Sequence, residues 1–202
     1  MAGKRYSEGL VLQGKAELAM ASRPNDLVCM SYNMHGFNQG AALVKHWCEI
    51  KSFDVLLVQE HWLSPAMLYK INDIIGVDYF CFAYSSMALV CSSDVLRGRP
   101  FGGLAIIVKR DYQNVCRSVF NSDRLIAIMI ESVLIANVYF PCSSRTDVKE
   151  VTLELLGQLD NVCSGHVHDD LIIGGDINCN VDVDSWSSRV ITEFLSSYDL
   201  VN

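Results

Sequence analysis

The chain has 202 residues, the size of one domain, and half of them are hydrophobic, which excludes a disordered polypeptide. A formal net charge of −7 and a pI near 5.1 argue against gripping nucleic acid by bulk electrostatics. They leave room for a local basic rim, or for an acidic site offset by bound metal. The eight cysteines are scattered with no Cys-x-x-Cys pair, so free thiols in a reducing compartment are expected rather than a structural zinc.

Residues 1–24 are weakly patterned and read as a poorly ordered leader, with a single domain over 25–202. Lys4 and Arg5 are followed by polar and charged residues, not by the apolar core of a signal peptide. Leu27–Val44 lacks charge but carries Asn33, His35, Asn38 and Gln39, so no stretch suits a membrane span. Leu27–Tyr32 is a strand candidate, followed by helical spacing over Ala41–Ile50, a buried strand at Val55–Val58 and a helix at Pro65–Ile75. Strands are expected at Tyr79–Tyr84 and Met87–Cys91, the second folding back across Ser85 and Ser86. A turn follows at Arg97–Pro100. Gly103–Val108, Val115–Phe120, Leu125–Ile130 and Val133–Phe140 come in close succession, as antiparallel hairpins do.

An amphipathic helix is expected next, capped by Asp147 with Glu150 three residues on. Val148, Val151, Leu155, Leu159 and Val162 form its stripe. A buried strand over Leu171–Asn178, a polar loop and a helix from about Ser187 to Ser197 complete the pattern, with another apolar strand beginning at Asp199–Asn202. Strands alternating with helices at both ends and hairpins in the middle imply an α/β fold of two packed sheets with helices outside.

Chemistry concentrates where apolar runs end. Asn33, Glu60, Tyr139 and the Asp176/Asn178 pair each close a candidate strand, where layered α/β folds bind ligands. Asp176 and Asn178, two apart, point the same way in an extended chain. An isolated acid at a strand end is ordinarily a solvated terminus, and Tyr139 alone could be a core aromatic. Together these groups are of the types that handle phosphate and metal. Arg124 is a candidate phosphate contact, though an arginine at a strand start is more often a surface residue. His61, adjacent to Glu60, should face away from it. His166, His168, Asp169 and Asp170 tempt as a metal cluster but precede the strand. His35 stays open.

Ser31-Tyr32-Asn33, Val58-Gln59-Glu60-His61-Trp62-Leu63, Asn137-Val138-Tyr139-Phe140-Pro141 and Gly174-Gly175-Asp176-Ile177-Asn178 occur in that order. They resemble the successive motifs of the endonuclease/exonuclease/phosphatase superfamily, most closely the apurinic-type endonuclease domain of non-LTR (LINE-type) retrotransposons. Gly102–Ala105 and Asp123–Leu125 resemble connecting motifs of that branch. The resemblance implies a four-layered α/β/β/α sandwich and Mg²⁺- or Mn²⁺-dependent nicking of DNA. It further implies a reverse transcriptase region in the same polyprotein, an intracellular or nuclear setting, a monomer and no membrane.

Glu60 would be the hard oxygen ligand of the ion, with Asn33 ligating or orienting the ligand shell. Asp176 would take a proton from the attacking water, while Asn178 and Tyr139 would donate to charge developing on phosphate. The same superfamily holds phosphoesterases of small and lipid phosphates, which the acidic pI suits, and a non-catalytic remnant is a third reading. One departure bears on all three. The family motif continues to a terminal Ser-Asp-His, whereas this chain has no histidine after His168. The expectation is a domain whose last strands are missing and which, as this fragment, is inactive or nearly so.

Overall fold

The structure, a computed structural model, describes residues 10–15, 27–88 and 100–201. In chain order these form β1 (Leu10–Lys15), β2 (Cys29–Asn33), α1 (Phe37–Glu49), β3 (Val55–Gln59), α2 (Tyr69–Ile75), β4 (Tyr79–Tyr84), β5 (Leu104–Lys109), β6 (Cys116–Asn121), β7 (Leu125–Ile130), β8 (Val133–Tyr139), α3 (Val148–Gly165), β9 (Asp170–Asp176), α4 (Trp186–Ser197) and β10 (Leu200–Val201). Among the described residues one sheet runs β10-β1-β9-β8-β7-β6 and the other β2-β3-β5-β4.

The apolar runs are continuous rather than alternating because both faces of each central strand are covered. Val55 and Leu57 of β3, Leu104, Ile106 and Val108 of β5, and Ile126, Ile128 and Ile130 of β7 meet in the core between the sheets. Leu56 and Val58 point the other way, beneath Val44 and Cys48 of α1 and Ile71 and Ile75 of α2. Leu125, Ala127 and Met129 likewise pack outward against Leu155, Leu159 and Val162 of α3 and Ile191 of α4. The result is helix, sheet, sheet, helix, the four-layered α/β sandwich.

Several local expectations change. The leader reading assigned no element before residue 25, yet Leu10–Lys15 pairs antiparallel with β9 and with β10. That run has too few apolar residues to stand out; its neighbour across the sheet makes it a strand. The remainder of residues 1–24 lies outside the described residues. Met87 sits in a turn rather than a strand, and 89–91 lie outside the described residues, as do Arg97–Arg99. β4 pairs with β5 instead. Asp147 is the N-cap position of α3 but makes no side-chain cap bond. Its carboxylate takes the Arg145 guanidinium at 2.8 and 2.6 Å, a charge-assisted two-point contact stronger than one bond to a backbone N–H. The capping box appears one helix later, where Ser185 and Ser188 exchange side-chain and backbone bonds at the start of α4.

The seven described cysteines are free. Burial pushes the thiols of Cys29, Cys48, Cys81 and Cys163 up to about 12, as befits unreactive core residues. No helix among the described residues is long and apolar enough to cross a membrane.

Candidate active site

Two parallel strand pairs, one per sheet, build the rim. β2 and β3 are joined through α1, with Asn33 level with Gln59. β8 and β9 are joined through α3, with Tyr139 level with Asp176. Parallel neighbours end at the same edge, so each crossover delivers two strand ends to one place. β9 can run that close to β8 only through Gly175. Its φ is +144°, and a Cβ there would lie 1.9 Å from the Val138 carbonyl oxygen.

Asn33 joins the two sheets. Its amide nitrogen donates to Glu60 Oε1 at 3.0 Å and to Asp176 Oδ2 at 2.8 Å. Its own oxygen accepts the His35 backbone N–H at 2.9 Å. Asn33 thus turns nitrogen, not oxygen, toward Glu60. The Tyr139 hydroxyl donates to the same Glu60 Oε1 at 3.0 Å. Burial, then the Glu60 charge and hydrogen bond, hold the phenol well above its ordinary range, so it stays protonated. Asp176 Oδ1 accepts the Asn178 backbone N–H at 3.0 Å. The Asn178 side chain donates to the Phe140 carbonyl at 2.9 Å, leaving its second amide hydrogen for another acceptor. Glu60 and Asn178 both hold left-handed backbone, with φ of 55° and 48°, the kind of local strain found where side chains are aimed for function.

Asn33, Glu60, Tyr139, Asp176 and Asn178, separated widely in the chain, are therefore brought together. Arg124 joins them by packing: its guanidinium lies 5.3 Å from the Tyr139 ring centroid and donates to the Tyr139 carbonyl at 3.1 Å. His61 faces away, fully buried, between the Leu63 N–H and the Tyr84 carbonyl. His166 and His168 each turn Nδ1 to a backbone carbonyl. Among the described residues no group of three or more His, Cys, Asp and Glu side chains is placed to hold a metal.

Sequence reasoning passed over Trp62, whose indole N–H donates to Glu60 Oε2 at 3.2 Å. It also passed over Gln59 and Asn137, which meet at 2.7 Å between the sheets. A signal existed for the last: Asn137 precedes Tyr139 by two and so shares its face.

The donor set suits a hard divalent ion. Mg²⁺ uses one or two carboxylates and keeps water and phosphate in its other positions. Glu60 offers a half-buried carboxylate with Oε1 fully engaged and Oε2 only partly so.

Two packed sheets with outer helices give this chain the fold of the endonuclease/exonuclease/phosphatase sandwich. Solved structures that share it include a 3′ phosphatase, NExo, from Neisseria bound to product DNA hairpin. It is 15% identical, with 85% of this chain and 71% of that one covered at a TM-score of 0.60. An AP endonuclease from Archaeoglobus fulgidus is 16% identical over 85% of this chain and 71% of its own, at 0.59. The AP endonuclease LMAP from Leishmania major is 15% identical over 84% and 66%, at 0.57. No family model matches the sequence, and no curated protein matches it.

Proposed function

We propose that the chain is a metal-dependent phosphodiesterase domain, a DNA-nicking endonuclease of the non-LTR retrotransposon type. The observation that carries this reading is the Asn33 amide nitrogen shared between Glu60 and Asp176, with the Tyr139 hydroxyl on the same Glu60 oxygen. Two carboxylates are thereby held close, one from each sheet, with neutral donors between them. That arrangement divides the work of phosphate hydrolysis.

Glu60, braced by Asn33, would hold a Mg²⁺ or Mn²⁺ ion, and the ion would supply positive charge against the phosphate oxygens. Asp176, fixed by Asn33 and by the Asn178 backbone, would accept the proton of the attacking water. Tyr139, kept protonated, and the remaining amide hydrogen of Asn178 would donate to oxygens gaining charge. Arg124 would hold the Tyr139 ring in place and supply positive charge beside the phosphate. DNA is the proposed substrate, with a reverse transcriptase region in the same natural polyprotein, a monomeric domain and a nuclear site of action.

The chain, incubated with supercoiled plasmid and Mg²⁺, should yield nicked circles. Asp176→Asn and Glu60→Gln should each reduce the rate by at least about 10²-fold. Release of phosphate from inositol phosphates without nicking would favour the small-phosphate reading, and no turnover on either substrate the non-catalytic one.

A further inference from the structure

We propose that His35 is a nitrogen ligand of the cation held by Glu60, and that the pair selects a transition ion such as Mn²⁺ over Mg²⁺. This rests on the phosphodiesterase reading of the same site. Glu60 has little acceptor capacity left. Oε1 already takes the Asn33 amide and the Tyr139 hydroxyl, and Oε2 takes the Trp62 indole N–H. A carboxylate oxygen accepts about two hydrogen bonds, so among the described residues the open direction belongs to Oε2. The side chain facing that oxygen is His35, with Nδ1 3.8 Å away.

The loop is built to put the ring there. The His35 N–H is pinned to Asn33 Oδ1 at 2.9 Å and the Gly36 N–H to the Glu60 carbonyl at 2.8 Å. His35 itself takes a left-handed φ of 49°. That conformation is uncommon outside glycine and is several-fold enriched for His and Asn.

At 3.8 Å the two atoms are too far apart for a good hydrogen bond. Two ligands each about 2.1 Å from one ion stand roughly 3–3.4 Å apart at octahedral or tetrahedral angles, so a small turn of the imidazole closes the bite. The ring is 60% exposed and has room to turn. With no third His, Cys, Asp or Glu in reach among the described residues, the ion would keep positions for water and phosphate. It would not be a closed structural site. First-row transition ions accept imidazole, Mn²⁺ the least strongly of the series, whereas Mg²⁺ keeps to oxygen, which is the source of the selectivity.

The test is electron paramagnetic resonance of Mn²⁺ bound to the 202-residue chain, with Mg²⁺ competition. His35→Asn serves as the variant because asparagine tolerates the left-handed backbone. Wild type should show nitrogen modulation from a coordinated imidazole. His35→Asn should lose that signal and bind Mn²⁺ on the order of tenfold more weakly, with Mg²⁺ affinity unchanged. Absence of nitrogen coupling in wild type, or its persistence in His35→Asn, overturns the assignment. If Glu60→Gln still abolishes binding in that case, the phosphodiesterase site stands without His35. If Glu60→Gln leaves binding intact, that reading falls too.

Discussion

Beside Glu60, the fully buried His61 ring accepts the Leu63 N–H on Nδ1 at 3.0 Å, so its proton lies on Nε2, 3.1 Å from the Tyr84 carbonyl. Gly103 makes room for it: with φ of +90°, a Cβ there would stand 2.3 Å from the ring. Burial is the main cause that lowers the imidazole pKa to about 4, against opposing hydrogen bonds to the Tyr84 and Leu104 backbone. The unfolded chain takes up this proton near pH 6.5 and the folded one only near 4. Between those values the unfolded state binds more protons, so stability falls as pH falls. The contribution is complete above pH 6.5 and shrinks by about 3 kcal/mol on descent to pH 4. Urea unfolding at a series of pH values should show this slope. His61→Phe should be less stable at pH 7, because two backbone groups lose their partner, yet flatter toward acid. An unchanged slope in the variant would contradict the assignment.

At the level of elements, the second glycine of Gly174-Gly175-Asp176 is a packing requirement. Gly175→Ala would drive a methyl into the Val138 carbonyl, which belongs to the β8–β9 ladder and cannot step aside. It should cost roughly 2–4 kcal/mol, with Tyr139 and Asp176 displaced. Gly157, exposed in α3, meets nothing within 4 Å of a built Cβ. Gly157→Ala should therefore stabilise by about 0.5–1 kcal/mol. Thermal unfolding of the two variants should show opposite shifts.

Elements with strong local patterns were legible. The doubly buried runs of β3, β5, β7, β8 and β9 show as unbroken apolar stretches, and α3 as a stripe. The motif residues were legible too, because each sits at the end of such a run. What stayed hidden was set by distant partners. β1 exists through its ladder to β9, the Asp147 cap was lost to Arg145, and Trp62 reaches Glu60 through a left-handed turn with φ of 53°.

Over the whole molecule, the two sheets are joined through more than apolar contact. Asn137 of β8, fully buried, accepts the Gln59 amide at 2.7 Å and donates to the Val58 and Ala105 carbonyls at 2.9 Å each. Gln59 also donates to Ser31 at 3.2 Å. This bridge ties β8 of one sheet to β2, β3 and β5 of the other, one residue before Glu60 and two before Tyr139. It therefore sets the offset between the sheets on which the 3.0 Å contact of Tyr139 with Glu60 depends.

Removing one member strands the others in a dry core, so Asn137→Ala should cost roughly 2–4 kcal/mol. Gln59→Leu alone leaves the Asn137 oxygen unpaired and should cost roughly 1–3 kcal/mol. With both changed, much of the penalty is shared, and the cycle should show a coupling of at least about 1 kcal/mol. Affinity for the proposed ion gives an independent readout: a slipped sheet offset would weaken it in either single variant, although neither Gln59 nor Asn137 is a proposed ligand. Additive stabilities with unchanged metal affinity would mean that apolar packing alone fixes the two halves of the site relative to each other.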